Sequence, residues 1–252
     1  MFVSHDIETR RQVLHMVASG LPLLQVSKVT GISRATIRRW RDDPRPLEDT
    51  VDEADPNWAP PDGPVYCYVL GLYLGDGCIR LPGGFMRITL DALYDKLVGK
   101  ARGALVTTFP GRHIGLYRHP VHRKVDLQVS HRSLGYAFPQ HGPGKKHERK
   151  IELVPWQLEL TRAYPERLIL GLIHSDGSRC TNRFNTKLPS GRVATYEYPR
   201  YFFTNYSADI RKIFTDHCEL LGIRWTQSNV RNISISHRDS VALMDSFIGP
   251  KR

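Results

Sequence analysis

Two aspartates that end similar apolar segments are the residues of this sequence best placed to do chemistry. Residues 70–77 are LGLYLGDG and residues 170–177 are LGLIHSDG, so Asp76 and Asp176 occupy the same position in the two copies. If the two segments pack against each other, the carboxylates lie side by side. Two like charges that close repel unless cations lie between them, and divalent metal ions are the natural cations for such a pair.

The segments that carry these aspartates are predicted to be helices that contact each other closely. Each has small residues four positions apart, Gly71 with Gly75 and Gly171 with Ser175, which lets two helix backbones approach. The apolar runs are shorter than the roughly 20 residues of a membrane span, which favours a soluble core. An aspartate in the last turn of a helix costs about 0.3–1 kcal/mol against the helix dipole. For either copy alone, an ordinary helix end with a solvated turn aspartate is the alternative.

A second internal repeat lies downstream of each apolar segment. Residues 125–138, VDLQVSHRSLGYAF, match residues 231–244, RNISISHRDSVALM, around a shared Ser-His-Arg. Apolar and polar residues alternate before each Ser-His-Arg, which predicts strands with one buried face. The polar faces carry short side chains suited to contact base edges, and a solvated sheet face is the alternative. The candidate DNA contacts on these strands are Gln128, Ser130, Asn232, Ser234 and Ser236.

The repeated motif resembles the signature of the LAGLIDADG homing endonucleases, in the form with two repeats on one chain. The resemblance covers roughly residues 65 to 250 and implies an α+β fold of two αββαββα repeats related by a pseudo-two-fold axis. It also implies paired central helices and two saddle-shaped antiparallel sheets across the DNA major groove. By the same resemblance, Asp76 and Asp176 are catalytic acids that bind Mg²⁺ in an endonuclease that cuts both strands of a long asymmetric site.

In that family a basic residue near the end of the last strand of each repeat helps to orient the attacking water and neutralise phosphate charge. The family commonly has Lys there, whereas this sequence offers His131, Arg132, His237 and Arg238. These four residues are the candidates for a phosphate and water pocket. Contacts to backbone phosphates, or capping of the following helix, are the alternatives.

The first 42 residues have the pattern of a separate helix-turn-helix unit. Helices are predicted over 9–19 and 22–30, and a third helix starts at the N-cap Ser33 and buries Ile37 and Trp40. Its basic outer face resembles the recognition helix of resolvases and transposases, with a protein-interaction module as the alternative. The residues predicted to contact DNA from this helix are Arg34, Thr36, Arg38 and Arg39.

Charge predicts a nucleic-acid partner and helps to divide the chain into units. The 36 Lys and Arg against 25 Asp and Glu give a net charge of +11, which attracts polyanions in a salt-dependent way. The predicted order is a helix-turn-helix at 1–42, an acidic Pro-rich linker at 43–64, a first repeat at 65–140, a basic connector at 141–155 and a second repeat at 156–252.

Other sequence features narrow the class of protein. No signal peptide and no membrane span are found, so we expect a cytoplasmic protein that is nucleoid-associated when bound to DNA. The four cysteines lack C-x-x-C spacing, which argues against a zinc site and for reduced thiols. The expected partner is double-stranded DNA, the expected cofactor is Mg²⁺, and the expected state is a monomer with pseudo-two-fold symmetry.

A non-cleaving transcriptional regulator with the same fold is the main alternative to an endonuclease. The helix-turn-helix and the missing Lys favour the regulator, whereas the presence of both acids favours cleavage. An RNA maturase fits less well, because the N-terminal unit suits duplex DNA. An intein-embedded endonuclease is disfavoured because no splicing segments flank the repeats.

Overall fold

The computed structural model describes residues 7–42, 54–80 and 84–249. The chain forms two units, Met1–Asp52 and Glu53–Arg252. The boundary falls inside the predicted linker, whose residues 43–53 lie outside the described residues. Within the described ranges, no helix is both long and apolar enough to span a membrane.

The N-terminal unit contains three helices, α1 (Ile7–Ala18), α2 (Leu23–Thr30) and α3 (Arg34–Arg41). The Ser33 hydroxyl accepts a hydrogen bond from the Thr36 N–H at 3.2 Å, so Ser33 caps α3 as predicted. Ile37 and Trp40 are buried with residues of the other two helices. The predicted helical N-terminal unit is therefore confirmed.

The second unit consists of two repeats with the same element order. In the first repeat, α4 (Gly63–Asp76) leads to β1 (Gly77–Arg80), β2 (Phe85–Asp91), α5 (Asp95–Thr108), β3 (Gly115–Arg118), β4 (Lys124–Ser130) and α6 (Leu134–Ala137). After α7 (Pro155–Ala163), the second repeat runs through α8 (Pro165–Asp176), β5 (Gly177–Lys187), β6 (Val193–Thr204), α9 (Ala208–Leu220), β7 (Thr226–Gln227), β8 (Asn232–Ile235) and α10 (Arg238–Ile248). The predicted α+β class with two αββαββα repeats is confirmed.

Each repeat contributes one four-stranded antiparallel sheet, with strand orders β1-β2-β4-β3 and β5-β6-β8-β7. In the first sheet Ile88 pairs with Leu127, and in the second Phe203 pairs with Ile233. These side chains are buried in the core against the helices. Since side chains alternate along a strand, the neighbouring Gln128 belongs to the opposite, polar face.

The first hairpin of each repeat is not apparent from the sequence pattern. Residues 79–90 fit one strand, whereas the structure divides them between two, β1 and β2. The sequence pattern did not indicate β5, because nearly all of its residues are exposed and no apolar alternation marks it. Period-two alternation therefore identified β4 and β8, which have one buried face, and missed the strand that has none.

The last part of the predicted linker packs against the second unit. The Trp58 ring lies 5.7 Å from the Tyr66 ring and 5.9 Å from the Phe109 ring. Asp62 then caps α4, because its carboxylate accepts the Val65 N–H at 2.8 Å. Residues 54–62 thus fix the start of the helix that carries Asp76.

The two central helices, α4 and α8, meet at their glycines. A Cβ atom on Gly71 would lie 2.5 Å from the Leu168 carbonyl oxygen and 2.8 Å from the Gly171 Cα. The reciprocal atom on Gly171 would clash with the Tyr68 carbonyl oxygen, the equivalent position in the other helix. The contact is therefore symmetric, and both positions require glycine for the backbones to approach this closely.

Candidate functional site

Asp76 and Asp176 are the last residues of the two packed helices, and both are half-buried. Asp176 lies in a cleft of about 690 Å³ that Gly75 of the other helix also lines. Asp76 lies in a second cleft, of about 580 Å³, that Ser175 lines. Each acid therefore shares its cleft with a residue of the opposite helix. The four predicted interface residues, Gly71, Gly75, Gly171 and Ser175, meet here: a Cβ on Gly75 would overlap the Ser175 side chain.

An asparagine orients Asp176. The Asn205 amide Nδ2 donates to Asp176 Oδ2 at 2.6 Å. Asn205 directly follows β6, and its Oδ1 accepts the Ser207 N–H at 2.7 Å, an Asx turn that leads into α9. The turn fixes the amide, and the amide fixes one oxygen of the carboxylate.

The first repeat has an acid at the corresponding Asx turn. Asp91 Oδ1 accepts the Leu93 N–H at 2.9 Å, and Asp91 lines the same cleft as Asp76. Arg123 donates through Nε at 2.9 Å and through Nη2 at 2.8 Å to the two oxygens of Asp91. The two halves of the site therefore differ: one places an amide and the other an arginine-paired carboxylate beside the motif acid.

A lysine from the connector, Lys146, lies at the C-terminal end of α4. Its ammonium donates to the carbonyl oxygens of Leu74 at 3.0 Å and Gly75 at 3.2 Å, and also to that of Tyr73. Burial lowers the pKa of Lys146 to about 8, and the nearby carboxylates of Asp176 and Asp76 oppose that shift. Lys146 is therefore charged at neutral pH, and its charge is favourable at the negative end of the helix dipole.

Both repeats hold the connector in place. On one side, the Gln140 amide donates to the Glu152 carbonyl oxygen at 2.7 Å, and the Gln157 amide donates to the Tyr66 hydroxyl at 2.6 Å. On the other side, the Ile151 N–H donates to Asp209 at the start of α9 at 2.8 Å. Hydrogen bonds to both repeats thus anchor the second half of the connector that carries Lys146.

The structure places the Ser-His-Arg residues away from both clefts. The His131 ring lies 5.2 Å from the Phe109 ring and accepts the Ser133 N–H at 3.1 Å, while His237 Nδ1 lies 2.6 Å from an Arg224 nitrogen. Of the described residues that line the clefts of Asp76 and Asp176, none is His131, Arg132, His237 or Arg238.

The polar face of the first sheet contains a hydrogen-bonded acid that sequence reasoning missed. The Asp126 carboxylate is buried and accepts from the Thr89 hydroxyl at 2.7 Å. His119 Nε2 lies 3.0 Å from it and Arg87 3.8 Å from it. Asp126 therefore orients two potential donors beside the predicted contact Gln128.

The other predicted contacts differ in how accessible they are. Gln128 and Asn232 are half-buried, and Ser130 and Ser236 are exposed. Ser234 is buried beneath Arg200, which donates to its hydroxyl. On α3 of the N-terminal unit, Arg34, Arg38 and Arg39 are exposed, whereas Thr36 is half-buried against Ser33.

The missed site residues left different signals in the sequence. Lys146 lies in the charged run KKHERK, where residue type does not distinguish one lysine from its neighbours. Asp91 ends a strand and Asn205 directly follows one, each shortly before a helix, a place where Asn and Asp commonly form turns. Only packing brings these three residues to the motif acids.

Residues 4–45 match the family of homeodomain-like domains. A search of curated proteins found no match.

Three solved structures illustrate the similarity of the chain as a whole. The full-length DUF199/WhiA protein from Thermatoga maritima is 12% identical with a TM-score of 0.49 over 82% of this chain and 63% of that chain. I-DmoI in complex with DNA and Mn is 15% identical with a TM-score of 0.47, and the match covers 75% of this chain and 98% of that chain. The LAGLIDADG meganuclease I-AabMI bound to uncleaved DNA is 12% identical with a TM-score of 0.46, and the match covers 72% of this chain and 82% of that chain. This chain spans less than two thirds of the WhiA protein's length.

Proposed function

We propose that this chain is a sequence-specific DNA endonuclease that cuts both strands of a long asymmetric site with divalent metal ions held by Asp76 and Asp176. One observation carries the proposal. The backbones of α4 and α8 touch at Gly71 and Gly171, and this contact brings both half-buried carboxylates to adjoining helix ends.

The donor chemistry of the site fits Mg²⁺. Asp76 and Asp176 offer carboxylate oxygens, the ligands that this ion prefers. The described residues contain no group of three or more His, Cys, Asp or Glu side chains that could hold a metal. Mg²⁺ commonly binds through one or two carboxylates together with phosphate oxygens and water, so DNA would complete the site. An ion held by the two acids would polarise the scissile phosphate and lower the pKa of the attacking water.

The residues around the acids have separate roles in this proposal. Asn205 orients the Asp176 carboxylate through its 2.6 Å hydrogen bond. Lys146 supplies a fixed positive charge that stabilises the negative charge developing on a phosphate during hydrolysis. Because Lys146 is a basic residue that lies beside both acids, we assign to it the role of neutralising phosphate charge. The Ser-His-Arg residues, His131, Arg132, His237 and Arg238, are proposed as contacts to backbone phosphates.

Several surfaces support binding to duplex DNA. The polar face of each sheet carries hydrogen-bonding side chains, and α3 presents Arg34, Arg38 and Arg39 to solvent. The homeodomain-like match over residues 4–45 favours a DNA-binding role for that unit, and the net charge of +11 favours polyanions. We propose that the chain acts as a monomer inside the cell, with each sheet contacting its own half-site.

One observation favours a non-cleaving DNA-binding regulator. Asn205 already donates to Asp176. The carboxylates of both acids also lie close enough to Lys146 to offset part of the decrease in its pKa that burial causes. The pair is therefore partly compensated by groups of the chain itself. A regulator would use the acids only to hold the two helix ends together.

Cleavage of a selected target distinguishes the two functions. The full chain is used to select its target from random duplex DNA, and the selected DNA is then incubated with the chain and Mg²⁺. We expect double-strand cuts that disappear in Asp76→Asn and in Asp176→Asn, while both variants still bind the DNA. Specific binding without cuts at any Mg²⁺ or Mn²⁺ concentration would overturn the endonuclease and favour the regulator.

A further inference from the structure

The hairpin of β5 and β6 extends beyond the rest of the second sheet. The two strands pair from Gly177 with Phe203 to Lys187 with Val193, whereas β8 pairs only with residues 201–204 of β6. Residues 180–187 and 193–200 therefore form a free two-stranded segment, which we call the ribbon. At about 3.4 Å per residue, its eight residue pairs span about 27 Å.

Among the residues that the structure describes, the first repeat has no such extension. There β2 pairs with β4 along its whole length, from Phe85 with Ser130 to Asp91 with Lys124. The described pairing between β1 and β2 runs from Gly77 with Ile88 to Arg80 with Phe85. The two repeats therefore present sheets of different reach, although their element order is the same.

Cross-strand side-chain pairs stabilise the ribbon. The Phe184 ring stacks on the Tyr196 ring, with centroids 5.5 Å apart and planes at 21°. The Asn182 amide donates to the Tyr198 hydroxyl at 2.9 Å. Such pairs contribute roughly 0.2–1 kcal/mol each, and a two-stranded ribbon without a packed face is marginal in water. These contacts stabilise the ribbon while Phe184 is 43% and Tyr196 46% exposed.

The stacked rings lie on the face of the ribbon that continues the polar face of the sheet. Phe202 pairs with Ser234, and period-two alternation puts Tyr196 and Phe184 on the same side as Phe202. The segment from 180 to 200 contains four basic residues and one acid, a net charge of +3. An exposed aromatic face with this charge is complementary to a polyanion that offers apolar groups in a groove.

We propose that the ribbon lies in the DNA groove beyond the half-site of the second repeat and lengthens the target on that side only. This inference rests on the proposed DNA-binding function. The major groove admits a two-stranded β-ribbon, and about 27 Å corresponds to about eight base pairs at 3.4 Å each. Phe184 and Tyr196 contact thymine methyl groups, while Arg200 on the same face and the exposed Arg192 at the turn contact phosphates and position the ribbon.

Hydroxyl-radical footprinting of the full chain on its selected DNA tests this inference. We expect the protected region to extend about eight base pairs farther from the centre on the side of the ribbon than on the other side. The double variant Phe184→Ala/Tyr196→Ala and the separate variant Arg192→Ala/Arg200→Ala lose protection of that flank and keep the central protection. Thermal unfolding shows that each variant is folded, and Tyr136→Ala, an exposed aromatic on α6 (44%), is the matched control.

The helix-turn-helix can also protect flanking DNA, so its contribution is measured separately. Arg38→Ala/Arg39→Ala removes protection by the N-terminal unit and leaves that of the ribbon. If the wild-type flanks are equal once this unit is silenced, or if both ribbon variants keep the long flank, the inference is overturned. If the chain gives no footprint on any DNA, the DNA-binding function itself fails, which distinguishes the two results.

Discussion

At the scale of residues, the site joins two motif acids to a lysine from a distant part of the chain. Lys146 donates to carbonyl oxygens at the end of the helix that carries Asp76. The helix dipole and two nearby carboxylates all favour a cation at that point. In the proposed function, the same charge stabilises a phosphate group placed between the acids.

Replacing Lys146 tests its part in the chemistry. Lys146→Met is expected to lower the rate of cleavage by roughly 10²–10³-fold, as loss of one fixed donor to a developing charge does, and to leave target binding in place. Single-turnover cleavage and a binding titration measure the two effects. Lys145→Met is the matched control, because that side chain is exposed and pairs with Glu148 at 3.4 Å. Equal rates for both variants would contradict the role of Lys146.

Glycine at the helix contact gives a second prediction at this scale. Gly71→Ala places a methyl group against backbone atoms of α8, and overpacking of this kind costs about 1–3 kcal/mol. Urea unfolding should show that loss. Gly99→Ala on α5 is the control, since nothing lies within 4 Å of its added Cβ and alanine is favoured over glycine in a helix by roughly 0.5–1 kcal/mol. A Gly71→Ala variant as stable as the wild type would contradict the close contact.

The sequence was sufficient to predict Asp76 and Asp176, because one repeated motif marks both and helix packing brings equivalent positions together. It was not sufficient to predict Lys146, Asn205 or Asp91. The hydrogen bonds of these residues depend on turns and connections whose paths no periodicity records. The Ser-His-Arg residues show the converse: the triplet is repeated in the sequence, yet in the structure His131 accepts the Ser133 N–H and His237 lies beside Arg224.

At the scale of elements, burial decides which parts of the fold the sequence reveals. The helices α4 and α8 have continuous runs of buried, mostly apolar residues, and the strands β4 and β8 have buried apolar residues at every second position. The ribbon of β5 and β6 has polar residues on exposed faces, so its strands are specified by cross-strand pairs. Those pairs become visible only when the two strands are aligned.

A buried histidine in α9 makes the stability of that element depend on pH. Burial lowers the pKa of His217 below its usual value of 6.5; its Nδ1 lies 2.7 Å from the Ile213 carbonyl oxygen. The unfolded chain therefore binds the proton more tightly than the native state does. The free energy of unfolding consequently decreases as the pH falls through 6.5.

Unfolding by urea at about pH 7.5 and about pH 5.5 measures this effect. The wild type is expected to lose more stability between the two values than His217→Leu does. His122→Leu, at an exposed position, is the control and should keep the wild-type dependence. If His217→Leu also kept the wild-type dependence, His217 would not be its source.

At the scale of the whole molecule, the chain combines a small arginine-rich helical unit with two unequal repeats. The net charge of +11 predicts salt-dependent binding, and the arginines of α3 contribute to it if they bind phosphates. In the full chain, Arg38→Ala/Arg39→Ala is expected to reduce the slope of log affinity against log salt by about 2, near 0.9 for each phosphate that the variant no longer neutralises. The cut positions should not change, because the acids lie in the other unit.

Binding titrations over a range of salt concentrations provide this measurement. Arg102→Ala, an exposed arginine on α5 in the helix layer, is the control and should keep the wild-type slope. A slope that Arg38→Ala/Arg39→Ala leaves unchanged would show that α3 does not bind DNA phosphates.

The central claim is that the two motif acids make this chain a metal-dependent nuclease. The most direct measurement incubates the full chain with a randomised duplex library and Mg²⁺ and sequences every new DNA end, beside the double variant Asp76→Asn/Asp176→Asn. We predict paired ends at a fixed spacing within one asymmetric consensus for the wild type, and none for the variant. If the wild type enriches a consensus by binding but yields no more ends than the variant in Mg²⁺ or Mn²⁺, the claim is contradicted.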